Sequence, residues 1–458
     1  MRFVSETFEN IRTYAELNSP PGLDAKCTRS SSAEPAFPSF SSPEHIQSLL
    51  GIAYEDNFFH DSAESPLALP GVSVPAPVTA EQSALYHVLP YAPRDRQRYA
   101  TLLIHFRRHV GPLWFDVTDS DFSIQVLCLV PTCPILLFST LALAARHLHR
   151  FADDGTDEAE HYHDRCIELL LPVLNDRTAI SDGVILASSV LLRFYEEISA
   201  PIRGRDDAWH LLGGFAFVEE VQNESRHWQE GLGRGAFWIH QRQDIINAIL
   251  NQRPTKANLT LCGLDRTSSD SNPETWAKRC TCLVADVVSF CFGPNASSIE
   301  RYDTLRHQLD WWDMHKPPCS TAFFQSELDH QTEDPFPEII FALDASVVGV
   351  AYYHLSMLLM AIYNPRQPKI GPLHALGRQQ IEREVQFHVR TLCGIALSNP
   401  CPPGRVVACL AISQCGAWFT NPDERLRLMN IIKVVEQDDM WPGGSTIASL
   451  KEQWSISD

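Results

Sequence analysis

SDGVILASSVLLRFYEEI, residues 181–198, decides the fold. Within it Val184, Ala187, Leu191, Phe194 and Ile198 recur at spacings of three and four. That is the signature of one apolar stripe on a helix of 3.6 residues per turn. The same rhythm runs through 134–151, where Leu137, Leu141, Ala144, Leu148 and Phe151 form the stripe and Pro134 suits the first helical turn. It returns in 422–438, with Met429, Ile432 and Val435 behind the start Asn421-Pro422-Asp423-Glu424. There a cap residue precedes a proline and a carboxylate sits three residues after the cap, as in a capping box.

Further helices are expected over 94–110, 157–174, 206–222, 235–250, 274–292, 297–314, 338–363, 373–397 and 404–419. Pro and Gly fall mostly between these segments. There is no alternating strand pattern with hairpin turns, no strand–helix alternation and no fixed repeat period. The expected fold class is all-α, a large multi-helix domain over 94–458.

Residues 1–93 read differently. The stretches 28–43 and 62–78 are rich in Ser and Pro, and the whole is expected to be a disordered or linker segment. Between them Tyr54, Glu55, Asp56, Phe58, Phe59 and Asp61 mix aromatic and acidic side chains, the composition of a short interaction motif whose acids keep aromatics exposed to a partner. A short helix packed on the body is the other reading of the same residues.

Composition narrows the function. Of the 458 residues 44% are hydrophobic and 20% charged, enough apolar material for a sizeable core. The net charge of -19 repels nucleic-acid phosphates, and no basic face is visible, so direct DNA binding is not expected. The thirteen cysteines are scattered and form no C-x-x-C pair. Eight of them (Cys128, Cys166, Cys280, Cys282, Cys291, Cys393, Cys409 and Cys415) lie in expected apolar helices, as reduced thiols used as small core hydrophobes. The opening MRFVSETFENIRTYAEL lacks the apolar stretch of a secretory signal, which favours an intracellular location. The uncharged run 122–145 is long enough for a bilayer but holds Gln125, Pro131 and Pro134, so two shorter buried helices are expected and no membrane partner.

Several stretches offer chemistry. Asp153-Asp154-x-x-Asp157 matches the acidic motif with which all-α terpene synthases bridge magnesium ions to a diphosphate. Here it contains Gly155 between two helical patterns, which reads as a solvated loop capping the next helix, and the second metal-binding motif of those enzymes is absent downstream. His149-x-x-x-Asp153 has the spacing of an acyltransferase general base, without the D-F-G-W-G motif that accompanies it. His147, His149, His161 and His163 flank the acidic loop, and His105 and His109 sit one turn apart, a zinc-like spacing interrupted by Arg107 and Arg108. A structural or surface role is the expectation for both groups. Gly231-x-Gly233-x-x-Ala236 approximates a dinucleotide fingerprint but follows polar sequence rather than a strand, and reads as a helix–helix connection. No catalytic, cofactor, metal or DNA-binding residue is assigned, and no cofactor is expected.

Taken together, LLIHFRRHVGPLWFDV (102–117), PILLFSTLALAARHLHR (134–150), EAEHYHDRCIELLLPVL (158–174), ILASSVLLRFYEEI (185–198), HLLGGFAFVEEV (210–221), GLGRGAFWIHQRQDIINAILNQRP (231–254) and the stretch 398–442 resemble the fungal-specific transcription factor domain. This is the helical region that follows the zinc-cluster DNA reader in fungal regulators, and the resemblance spans roughly 94–445. It implies a nuclear, non-enzymatic regulator of metabolic genes, secondary metabolism among them. It implies protein partners too, either a second copy as homodimer or a DNA-binding zinc-cluster factor, and room for a small-molecule effector. The family's DNA reader needs six cysteines, whereas residues 1–93 hold only Cys27. Either the chain is a shortened factor or it joins a partner that carries the reader; the sequence leaves both open. The alternatives are an all-α metal-dependent enzyme using Asp153, Asp154 and Asp157, and a scaffold unrelated to transcription.

Overall fold

In the computed structural model the residues described are 85–87, 92–117, 121–150, 156–174, 183–203, 206–223, 231–256, 259, 264–266, 272–326, 335–368 and 370–456. Among them are fourteen α-helices, a π-helical run, short 3₁₀ turns and one two-stranded ribbon. The chain is all-α. The expectations for 1–93, including the acidic-aromatic stretch 54–61, fall outside the described residues except at 85–87, 92 and 93.

The first half is built around α3 (Pro134–Leu148), with Pro134 in its first turn and every residue from 134 to 147 buried. It packs against α1 (Pro93–His105), α4 (Thr156–Leu170) and α5 (Val184–Arg203). The stripe expected on α5 is buried throughout, but so is every other residue from 184 to 200. A one-sided stripe underestimates this helix, which is covered on all sides by α3, by α6 (Trp209–Asn223) and by α7 (Gly231–Leu250). The uncharged run 122–145 divides as expected, into α2 (Phe122–Leu129) and α3 with a break at 130–133.

Two local readings are corrected. The helix expected over 94–110 ends as an α-helix at His105 and continues as a π-helix over Phe106–Phe115. Its buried residues Phe106, Val110, Gly111 and Phe115 show why. Positions nine apart lie about 180° from one another on an α-helix, whereas the wider i→i+5 turn returns both phenylalanines to the core side. Gly111 permits the fit, because a Cβ there would stand 2.5 Å from the Ser123 Cβ on α2. The Gly231–Ala236 stretch is no connection either; it forms the opening turns of α7. A Cβ on Gly235 would meet the Phe122 ring at 2.9 Å, so this glycine lets α2 lie close against α7.

The second half comprises α8 (Pro273–Cys291), α9 (Ile299–His315), α10 (Asp344–Ile362), α11 (Pro372–Ser398), α12 (Pro402–Cys415), α13 (Pro422–Asp439) and α14 (Gly444–Gln453). Helix α10 lies between α8 and α11, and α12 packs against both α10 and α11. The Asn272 side chain caps α8 by accepting from the Glu274 and Thr275 amides at 2.9 and 3.4 Å. Asn421 caps α13 as its sequence suggests. The second half of that capping box does not form, because Glu424 turns to Arg390 on α11 at 2.7 Å. Helix α10 starts at 344 rather than 338, since β2 (Ile339–Ile340) pairs antiparallel with β1 (Phe324–Gln325). By length and composition α10 is, among the described residues, the one helix that could cross a membrane, and most of it is buried inside the body. Helix α14 was not anticipated from the sequence.

Helix α11 outruns its neighbours. Leu373 to Glu384 contain no fully buried residue, and Val385 is the first after them. Gly371, with φ +83° and nothing within 4 Å of where a Cβ would be, lets the chain turn into these opening turns in open space.

Candidate functional site

Among the described residues, those of the acidic motif and its flanking histidines do not assemble into a centre. Asp153 and Asp154 lie outside the described residues, and Asp157 is exposed in the first turn of α4, where a carboxylate suits the helix dipole. Next to it Glu158 accepts from Arg98 Nε of α1 at 2.7 Å and from the Tyr162 hydroxyl at 3.0 Å. The Arg98 hydrogen bond holds this carboxyl below the usual range. Arg98 also reaches His149 Nε2 at 2.8 Å, so one arginine ties the end of α3 and the start of α4 to α1.

The flanking histidines go separate ways. His147 points to α1, its Nδ1 3.0 Å from His105 Nε2, and the His109 ring sits 5.0 Å from that of His105. Burial, reinforced by neighbouring histidines and Arg150, lowers His105 to about 4 and His147 to about 3, so the pair is neutral at physiological pH. His163 instead meets His210 of α6, Nε2 to Nε2 at 3.2 Å, while its ring stacks on Tyr195. Among the described residues no three His, Cys, Asp or Glu side chains are grouped to hold a metal.

A cluster of buried charges that no sequence motif marks lies at the α5–α6 junction. Arg193, Glu196 and Glu197 follow one another at i, i+3 and i+4 along α5 and are all buried. Arg193 grips Asp206 with both terminal nitrogens, at 2.5 and 2.7 Å, and touches Glu196 at 3.2 Å. Glu196 in turn accepts from the Trp209 and His210 amides at 2.9 and 3.4 Å. It thereby supplies from α5 the cap that α6 lacks at its own start, where Ala208 has φ 54°. One guanidinium faces three carboxylates. Burial raises Glu196, and raises Glu197 to about 7; burial also acts against Asp206, yet the Arg193 hydrogen bonds hold it low. The arrangement ties α6 to α5, with Asp206 at its solvent-facing edge.

A third histidine pair joins α10 to α11, with His354 Nδ1 2.9 Å from His388 Nδ1. Burial lowers these to about 3 and about 4. On α7, Gln243 donates to the Val190 carbonyl at 3.0 Å, and Asp244 accepts from Arg253 and from the Lys256 amide, both at 2.8 Å. These polar groups stitch helices together. Of the eight cysteines expected in the core seven are buried, and Cys128 is exposed instead.

The comparison with family models bears on all of this. The model for the fungal specific transcription factor domain matches residues 101–458. The chain belongs to that family. A fungal-specific transcription factor domain is thus the whole helical body from within α1 onward, and a role in regulating transcription goes with it. The match also runs past the expected limit near 445 and takes in α14. No curated protein and no solved structure matched the chain. Within this domain the buried charges and histidine pairs join one helix to the next.

Proposed function

We propose that the chain is a non-enzymatic nuclear regulator that acts through protein contacts of its helical body on metabolic genes, secondary metabolism included. The observation that carries this reading is the family match over 101–458, which coincides with the helical body. The net charge of -19 supplies no counterion release on DNA, which favours recruitment through a partner that reads DNA. That partner is a zinc-cluster factor, with a second copy of this chain as the other arrangement, and a small-molecule effector fits the same helical body. The test is chromatin pull-down of the tagged protein with identification of co-purifying proteins. Enrichment at promoters together with a zinc-cluster protein is the expected result. Retention in the cytosol with no promoter enrichment would overturn the proposal.

A further inference from the structure

Between Glu81 and Asp116 the chain carries five arginines and one acid, Asp95, against a net charge of -19 for the whole. Arg98 is taken up by Glu158 of α4. Arg94 and Arg96 in the first turn of α1, and Arg107 and Arg108 just past its end, are all exposed. Among the described residues none of these four is in an ion pair. The sequence shows no basic face in the chain as a whole; α1 makes a local one.

The helix sorts these charges. At 100° per residue Ile104 lies about 160° around α1 from the fully buried Leu102 and about 180° from Asp95. The one acid of the stretch is thus turned away from the outer face. Arg94 and Arg96 stand about 160° apart, and Ala100 and Ile104 fall within the outer arc between them. Ala100 is exposed and Ile104 is 50% exposed. The outer face therefore has a small apolar centre and two arginines at each end, the ends about 18 Å apart at 1.5 Å per residue. Cations in the opening turn work against the helix's own dipole, and Ala92 supplies no side-chain cap there. An arriving carboxylate would meet both deficits.

We propose that the outer face of α1, from Arg94 to Arg108, is a docking surface for an acidic amphipathic helix of a protein partner. That helix sets apolar side chains over Ala100 and Ile104. Its carboxylates lie near Arg94 and Arg96 at one end and near Arg107 and Arg108 at the other. A DNA duplex is the competing occupant. It gains nothing from the apolar centre, and it runs past both ends of the patch along a molecule of net charge -19. A peptide helix of about three to four turns ends where the patch ends. The proposal rests on the reading of the body as a platform for protein contacts. It is tested in solution with purified components, so its failure is distinguishable from a failed chromatin result.

The probe is a fluorescein-labelled synthetic helix of roughly 16 residues, with Glu in its first and last turns and a stripe of Leu and Ala between them. It is titrated with the full chain and followed by anisotropy. Saturable binding is expected, weakening as salt rises. Arg94→Glu/Arg96→Glu and Arg107→Glu/Arg108→Glu should each lose at least about tenfold, and Ile104→Ser severalfold. A peptide with Lys in place of Glu should bind the variant with all four arginines changed to Glu, but not the parent chain. All five positions are exposed, and far-UV circular dichroism checks that the helices persist. No binding of the Glu peptide, unchanged affinity in either double variant, or equal binding of both peptides by the parent chain would each overturn the proposal. So would a labelled DNA duplex that binds through these arginines more tightly than the Glu peptide does.

Discussion

Arg193 is outnumbered by the carboxylates around it, and that imbalance makes its loss costly. Removing it leaves Glu196, Glu197 and Asp206 facing one another with no countercharge, and costs Asp206 its bidentate partner. Arg193→Ala should therefore lower stability by about 3–5 kcal/mol, read as a fall in the urea midpoint of helix unfolding. Arg193→Lys should recover little of it, since a single ammonium cannot reproduce the two-pronged grip. A loss below about 1 kcal/mol for the alanine variant would show that the cluster is already neutralised by protons. The residues themselves were visible as RFYEE (193–197). Their depth was not, because periodicity reports which face of a helix is apolar and says nothing of what covers the opposite face. Asp206 is nine residues beyond Glu197, past the end of α5, and only the turn into α6 brings it back to Arg193.

At the scale of elements, three histidine pairs each join two helices: α1 to α3, α4 to α6 and α10 to α11. For His105, His147, His354 and His388 the folded value lies below the ordinary 6.5, so the unfolded chain binds protons first as pH falls. Their stabilisation is complete above about pH 6.5 and is lost as pH drops towards 4. Each contributes a slope of about 1.4 kcal/mol per pH step within that window. The urea midpoint should accordingly fall between pH 6.5 and 5, and the double variant His354→Phe/His388→Leu should show a shallower fall; an unchanged slope would remove these groups from the account. Helix positions were legible because 3.6-residue periodicity and Asn or Pro starts are local properties, as at Asn421 and Pro134. The π-helix at 106–115 and the ribbon at 324–340 were not, because both are settled by distant partners, Ser123 against Gly111 and the α11 end against β2.

For the whole molecule, the order of apolar segments resembled one domain family from within α1 onward, and the family match agrees. The acidic motif is where sequence offered chemistry, and the structure shows Asp157 exposed at a helix start. Replacing Asp153, Asp154 and Asp157 together by Ala should leave reporter transcription within twofold of the parent chain. Loss of output without loss of protein would reopen the enzymatic alternative. What the sequence could not convey is the outward turn of Leu373 and Leu376, since apolar spacing reads the same whether it faces a core or a partner.

Nine of the eleven described cysteines are buried. Burial pushes Cys401 and Cys415 up to about 12, so in the closed body they are inert towards electrophiles and oxidants. Any opening wide enough to wet them returns each thiol to its ordinary acidity near 8.5, where a fraction is already thiolate at neutral pH. Crosslinking among such thiols would trap the opened form, turning a reversible fluctuation into permanent loss. The lifetime of this protein should thus follow the reducing power of its surroundings.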